Sequence, residues 1–186
     1  MFLEGERVRL RAVEPEDAPA FAAWINDPEI RHLVGGPAYQ YSLVGEEEAI
    51  RARRTSDWER GIWFAIEATD GEAPRLIGNM DLRRLNAEAR RGEVGMLIGD
   101  RAYWNRGYGS DALRTLCRWA FADLDLHRIE LSVAEYNPRA RRAYEKVGFA
   151  IEGRLKEHRY IAGRYHDTIV MGLLRRDFEA ATEPES

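Results

Sequence analysis

The stretch that most restricts this chain is RAYWNRGYGSDAL, residues 101–113. Two glycines one residue apart follow a basic residue, and an amphipathic run begins directly behind them. Gly107 and Gly109 carry no Cβ, so the backbone there can turn tightly and come close to a ligand. The N–H groups of residues 105–110 would then face outward at the start of a helix. Unpaired donors and the helix dipole make such a corner suited to phosphate oxygens. Arg106 adds a planar guanidinium that matches a diphosphate. A plain glycine turn capped by Ser110 accounts for the same string, because Gly-X-Gly alone is weak evidence.

A dinucleotide fingerprint is the sharper rival. Gly107 to Ala112 fits G-x-G-x-x-A, and Glu130 stands about 20 residues onward. That fingerprint needs a strand running straight into its first glycine. Here residues 99–106 form a loop after the strand at 93–98. The earlier strands at 63–67, 76–83 and 93–98 follow one another through short polar turns, which makes them antiparallel neighbours rather than parallel crossovers. The dinucleotide reading is set aside on these grounds.

The rest of the chain supplies a mixed element order. Residues 7–12 (RVRLRA) alternate like a half-buried strand. A helix is expected from the acidic start EPED to about Asn26. A loop rich in Gly, Pro and Tyr follows over residues 27–41, and then a second helix from Ser42, its N-cap, to about Arg54. Behind the glycines, Leu113, Leu116, Cys117 and Ala120 recur at helical spacing. Residues 128–133 read as a strand. Residues 138–147 read as a helix, capped by Asn137 and closed by Gly148. Two strands around Ala162-Gly163 finish the pattern. The expected fold is a single α/β domain over residues 1–180, one mixed and mostly antiparallel sheet flanked by helices, with a short flexible tail at 181–186.

Composition narrows the partners. The chain has 186 residues, 45% of them hydrophobic, and a formal charge of −4. One domain with a sizeable core is expected, and nucleic acid is disfavoured as a partner. Cys117 is the only cysteine, so neither an intrachain disulfide nor a cysteine zinc site can form. His32, His127, His158 and His166 lack ligand spacing, and no metal is expected. With no apolar run near the roughly 18 residues a membrane helix needs, a cytoplasmic protein without membrane contact is expected.

Taken together, GEVGMLIGD, AYWNRGYGSDAL and HRIELSVAEYNPRARRAYEKVGF resemble the acetyl-CoA-binding core of the GNAT superfamily of N-acetyltransferases. LRAVEPEDAPAFAAWIND and EHRYIAGRYHDTIVMGLL resemble the branch that includes ribosomal-protein N-terminal acetyltransferases and related small-amine enzymes. The resemblance implies the acyl-CoA N-acyltransferase-like fold and acetyl-CoA as cosubstrate. It implies that the diphosphate sits on the Arg106–Ser110 amides, that Trp104, Asn105, Arg106, Gly107, Tyr108, Gly109 and Ser110 bind the cofactor, and that the pantetheine arm lies beside Met96, Leu97 and Ile98. For that arm to enter, two strands must part, and Gly95 is the expected site of a bulge. Trp104 stands where the superfamily usually has Gln or Arg, and Ala140 where many relatives carry Ser.

Acetyl transfer to an amine needs a held thioester, a polarised carbonyl, a neutral amine and a proton for the departing thiolate. With YEKVGF matching the family, Tyr144 is the candidate general acid; alone it would read as a core aromatic. Glu93 is the candidate base, with a solvated strand-edge charge as the alternative. Asn137 is a helix cap, a cofactor contact, or both. The acceptor pocket is expected from the 27–41 loop and the hairpin at 160–167. Tyr39, Tyr41, Tyr160 and Tyr165 would wall it, and Glu135 or Asp167 would attract a cationic amine. The acceptor is a protein N-terminus or a small amine such as a polyamine, amino sugar or aminoglycoside. A CoA-binding module without turnover is the alternative function, and a homodimer is compatible with an exposed hairpin edge.

Overall fold

A computed structural model describes residues 2–35, 40–54, 61–86 and 88–182 of the chain. Its strands are β1 (Leu3–Glu4), β2 (Val8–Ala12), β3 (Ile62–Ala68), β4 (Arg75–Asn86), β5 (Arg91–Ile98), β6 (Arg128–Ala134), β7 (Ala150–Ile161) and β8 (Arg164–Leu174). The helices are α1 (Ala18–Asn26), α2 (Pro28–Val34), α3 (Leu43–Arg54), α4 (Tyr108–Ala122), α5 (Pro138–Glu145) and α6 (Arg175–Thr182). One eight-stranded sheet runs in the order β1-β2-β3-β4-β5-β6-β8-β7. All neighbours are antiparallel except β5 and β6, which are parallel.

Side-chain alternation decides the layers. Along β3, Phe64, Ile66 and Ala68 enter a core that also takes Val8 and Leu10 of β2 and Leu113, Leu116, Cys117 and Ala120 of α4. Ala65, between them, faces the opposite side and packs with Phe21 of α1 and Ile50 of α3. Period two on the strands and period 3.6 on α4 therefore give one sheet with helices on both faces. Leu113 and Leu116 are fully buried, each contributing about 1.5–3 kcal/mol of burial free energy.

The caps read from the sequence are in place. Ser42 Oγ accepts from Gly45 N at 2.9 Å, and Asn137 Oδ1 accepts from Ala140 N at 3.1 Å. Gly148 closes the second of these helices with φ 108°.

Two expectations are corrected. Residues 28–34, expected within a loop, form α2. Asp27 caps it by accepting from Glu29 N at 2.9 Å and Ile30 N at 3.1 Å, Pro28 takes its first position, and Gly35 ends it with φ 71°. Gly95 carries no bulge: Leu82↔Val94, Asp81↔Gly95 and Met80↔Met96 run in regular register. At the far end, α6 continues past residue 180, two residues into the stretch expected as a tail, while residues 183–186 lie outside the described ones.

The feature that positions the site is where β5 and β6 part. They pair only at Arg91↔Arg128, Gly92↔Ile129 and Glu93↔Glu130. Beyond that rung, β5 stays laddered to β4 as far as Gly78↔Ile98, and β6 stays laddered to β8 as far as Ala134↔Thr168. Each strand follows its outer neighbour, so the sheet forks and residues 94–98 and 131–134 face one another without a rung.

Candidate active site at the strand fork

A cleft of about 630 Å³ fills the fork. Met96, Leu97 and Ile98 line it from β5, and Ser132, Val133 and Ala134 line it from β6. Its floor at one end is the glycine turn, from which Trp104, Asn105, Gly107, Gly109 and Ser110 contribute. Asn137 and Tyr144 enter from α5, and Glu93 stands where the two strands diverge.

The glycine turn presents donors. Asn105 and Gly107 both have positive φ, 58° and 92°, a local geometry that gathers successive N–H groups into a concave nest. Among the described residues, none accepts from the N–H groups of residues 105–110. Gly107 caps α4 without any side-chain bond, so the first turn of a long helix opens on this corner. Gly109 is closed by Met96, whose Cε lies 3.4 Å from where a Cβ would stand.

Trp104 ties the turn to both walls. Its Nε1 donates to the Ile98 carbonyl at 2.7 Å, and the Arg139 guanidinium carbon lies 3.5 Å from its ring centre. Two residues expected to touch the ligand are turned elsewhere. Tyr108 is fully buried, and its hydroxyl donates to the Asp70 carboxylate at 2.8–2.9 Å, so only its backbone remains for a ligand. Arg106 is exposed, lies outside the cleft lining, and donates to the Ala102 carbonyl at 3.1 Å.

Tyr144 is 8% exposed. Burial pushes its phenol up to about 12, against the opposing pull of Arg139. The group therefore stays protonated across the neutral range and can only donate there. Glu93 is not a solitary carboxylate: it accepts from Arg83 Nη2 at 2.9 Å, and Arg83 Nη1 also donates to Asp81 at 2.9 Å. This triad lies flat over Gly95, where an added Cβ would stand 2.4 Å from Asp81 Oδ1 and 2.8 Å from Arg83 Nη1.

Among the described residues, those expected to hold the acceptor do not line the cleft. Arg154 bridges Glu135 and Asp167, and both carboxylates are held further by backbone N–H groups, from Asp167 and Glu157 respectively. Tyr160 is 65% exposed and packs on Tyr165 at 5.0 Å, at the hairpin tip. Tyr41 is occupied through its backbone, which exchanges two 2.8 Å bonds with the Asn26 side chain. Tyr39 lies outside the described residues.

The structure adds residues that sequence reasoning missed. Ile30, Leu33 and Val34 of α2 wall the cleft, with α2 pinned by Tyr136 Oη donating to the His32 carbonyl at 2.8 Å. Arg139, Arg142 and Lys146 line it from α5, a basic face readable as i, i+3, i+7 in PRARRAYEK. Asp81 and Arg83 come from alternate positions of β4, whose spacing signals a shared face. Among the described residues, no group of three His, Cys, Asp or Glu side chains converges as a metal site.

A family model described as Acetyltransferase (GNAT) domain matches residues 7–150. The "Putative ribosomal N-acetyltransferase YdaF" of Bacillus subtilis (strain 168) is 28% identical over 176 residues, 94% of this chain and 94% of that protein. Spermidine N(1)-acetyltransferase of Vibrio cholerae serotype O1 is 34% identical over 103 residues, 55% of this chain and 59% of that one. The crystal structure of spermidine N-acetyltransferase from Vibrio cholerae in complex with CoA and spermine superposes with a TM-score of 0.83 at 28% identity, covering 93% of this chain and 98% of that chain.

Proposed function

The chain belongs to the GNAT acetyltransferase family, and from that premise we propose how its cleft carries out acetyl-CoA-dependent N-acetylation of an amine. One observation carries the reading: the fork between β5 and β6 is lined at once by a glycine turn with open N–H donors, by Tyr144 from α5, and by Glu93 where the two strands diverge.

The residues present fit the cosubstrate. The nest and the first turn of α4 supply backbone donors for a diphosphate, and Arg139, Arg142 and Lys146 supply cations beside it. The facing edges of residues 94–98 and 131–134 are open to an extended amide chain, which can pair there as an added strand does. Asn137 holds its cap through Oδ1 alone, leaving its amide N–H groups for the same chain.

Acetyl-CoA supplies the thioester. Tyr144 stands as a hydrogen-bond donor to the sulfur as negative charge gathers on it. A thiol near pKa 8.5 is a stronger acid than a phenol at about 12. Complete transfer from Tyr144 is therefore uphill, and stabilisation by donation is its main effect. The amine gives one proton to the base before it attacks and loses a second as the amide forms, and this second proton balances the one that the departing thiolate takes up.

Glu93, through water or directly, is retained as the group that takes the amine's proton. Taking it would cost the Arg83 bond, so the triad works as a unit. Asp81 and Glu93 place two carboxylates on the cleft lining, which suits a cationic amine. A small amine or a protein N-terminus entering past α2 is the proposed acceptor. A reducing cytoplasmic setting suits the lone thiol, and the exposed Ile151, Leu155, Tyr160 and Tyr165 around edge strand β7 suit pairing of two copies.

The test is consumption of acetyl-CoA across a panel of peptide N-termini, polyamines, amino sugars and aminoglycosides. Turnover with one class identifies the acceptor. Tight CoA binding with no turnover on any of them would replace this reading with a binding module.

A further inference from the structure

We infer that Arg7, on the turn before β2 and far from the cleft in sequence, is a positioning residue that aims the diphosphate nest. The inference rests on the reading of that nest given above. Arg7 Nη1 donates to the carbonyl of Arg106 at 2.6 Å. That carbonyl and the N–H of Gly107 belong to one trans peptide, in which the two groups point in opposite directions. Gripping the oxygen from outside therefore turns the Gly107 N–H away from Arg7, toward the side on which Gly107 lines the cleft.

The guanidinium is itself held by further partners. Nε and Nη2 donate to Asp70 Oδ2 at 3.0 and 2.8 Å. Nη2 also donates to Tyr108 Oη at 2.8 Å, and the guanidinium carbon lies 4.2 Å from the Tyr108 ring centre. Tyr108 Oη in turn donates to Asp70, closing a three-membered ring of partners. The backbone is fixed too. Asp111, buried in the first turn of α4, accepts from Glu6 N at 3.2 Å, Arg7 N at 2.8 Å and Val8 N at 3.1 Å.

Stability alone does not explain this arrangement. The Arg7–Asp70 pair is more than a third exposed on both sides, and such pairs contribute little to folding. Its distinctive product is direction. Gly107 at φ 92° has no side chain of its own to set that peptide, and α4 begins there without a side-chain cap. The side chain of Tyr108, the second residue of G-Y-G, is explained as well: it faces inward to complete the clamp on Arg7.

The experiment compares binding of CoA with binding of pantetheine, which lacks the diphosphate, by titration calorimetry and ligand-observed NMR. Proteins compared are the unmodified chain, Arg7→Met, Arg7→Lys and Asp70→Asn. Arg7→Met is expected to weaken CoA about tenfold, the loss of one charge-assisted bond, and to leave pantetheine unchanged. Arg7→Lys, which can still reach the carbonyl, is expected to recover part of the loss. Equal weakening of both ligands, or none, overturns the inference. If Arg7→Met does not fold, Asp70→Asn decides: it frees the guanidinium without touching the nest, and an unchanged CoA-to-pantetheine ratio overturns the inference equally. Failure of the unmodified chain to bind CoA is a separate result, and it removes the reading of the cleft itself.

Discussion

Arg139 stacks its guanidinium 3.5 Å from the centre of the Trp104 ring, while the same indole donates to the Ile98 carbonyl at 2.7 Å. One aromatic side chain thus couples the end of β5 to the start of α5 across the mouth of the cleft. Arg139→Ala is expected to cost about 0.5–2 kcal/mol and Trp104→Phe about 1 kcal/mol, read from urea unfolding. Both are expected to weaken CoA. Unchanged unfolding midpoints would show that the stack is incidental.

Tyr144→Phe keeps the ring in the core and removes only the donor. Turnover is expected to fall about 10²- to 10⁴-fold with CoA affinity unchanged. The pH profile adds a second check. Folding raises the phenol's pKa from near 10 to about 12, so its neutral form is the favoured one. The associated stability is complete below about pH 10 and is lost as pH rises through 12. Activity should therefore show no alkaline loss that disappears in the Phe variant below about pH 11.

Gly95→Ala puts a methyl 2.4 Å from Asp81 Oδ1 and must displace the ion triad. A cost of about 1–3 kcal/mol is expected. The KM for the amine should rise more than that for acetyl-CoA, since the displaced triad holds the proposed base. Initial-rate kinetics with both substrates varied will separate the two.

Cys117 is fully buried, does not line the cleft, and burial pushes its thiol pKa up. With no other cysteine in the chain, a cysteine-bound acetyl group is not available to the mechanism. Ellman's reagent is expected to stay unreactive until denaturant is added, and initial-rate lines for the two substrates are expected to intersect rather than run parallel.

The elements that sequence made legible are those with a strong period or a strong cap. The apolar stripe Leu113, Leu116, Cys117, Ala120 lies in the core as its spacing requires, and Asn137 and Gly148 bracket α5 as expected. Helix α2 carried the same kind of punctuation, Asp27-Pro28 before it and Gly35 after it, but its seven residues are too few for periodicity to outweigh a Gly- and Pro-rich neighbourhood. Strand β1 has two residues, too short for any pattern.

The site was legible where backbone chemistry defines it and illegible where partners do. Gly107, Gly109 and Ser110 border the cleft because the turn that opens α4 follows on the strand that forms one of its walls. Glu135 and Asp167 were expected to be free, yet Arg154 claims both, and a cation across the hairpin leaves no trace in local spacing. The direction of the Tyr108 side chain was illegible too: as the first residue of α4 it faces Arg7 and Asp70, which lie 101 and 38 residues away. Strand separation, too, arises from each strand following its outer neighbour, so no single residue such as Gly95 announces it.

Within the sheet, the ladder between the β1–β5 half and the β6–β8 half has only three residue pairs. A guest threaded beyond the last of them would be a missing slat as much as a reactant, restoring the ladder that the sheet gives up after Glu93↔Glu130.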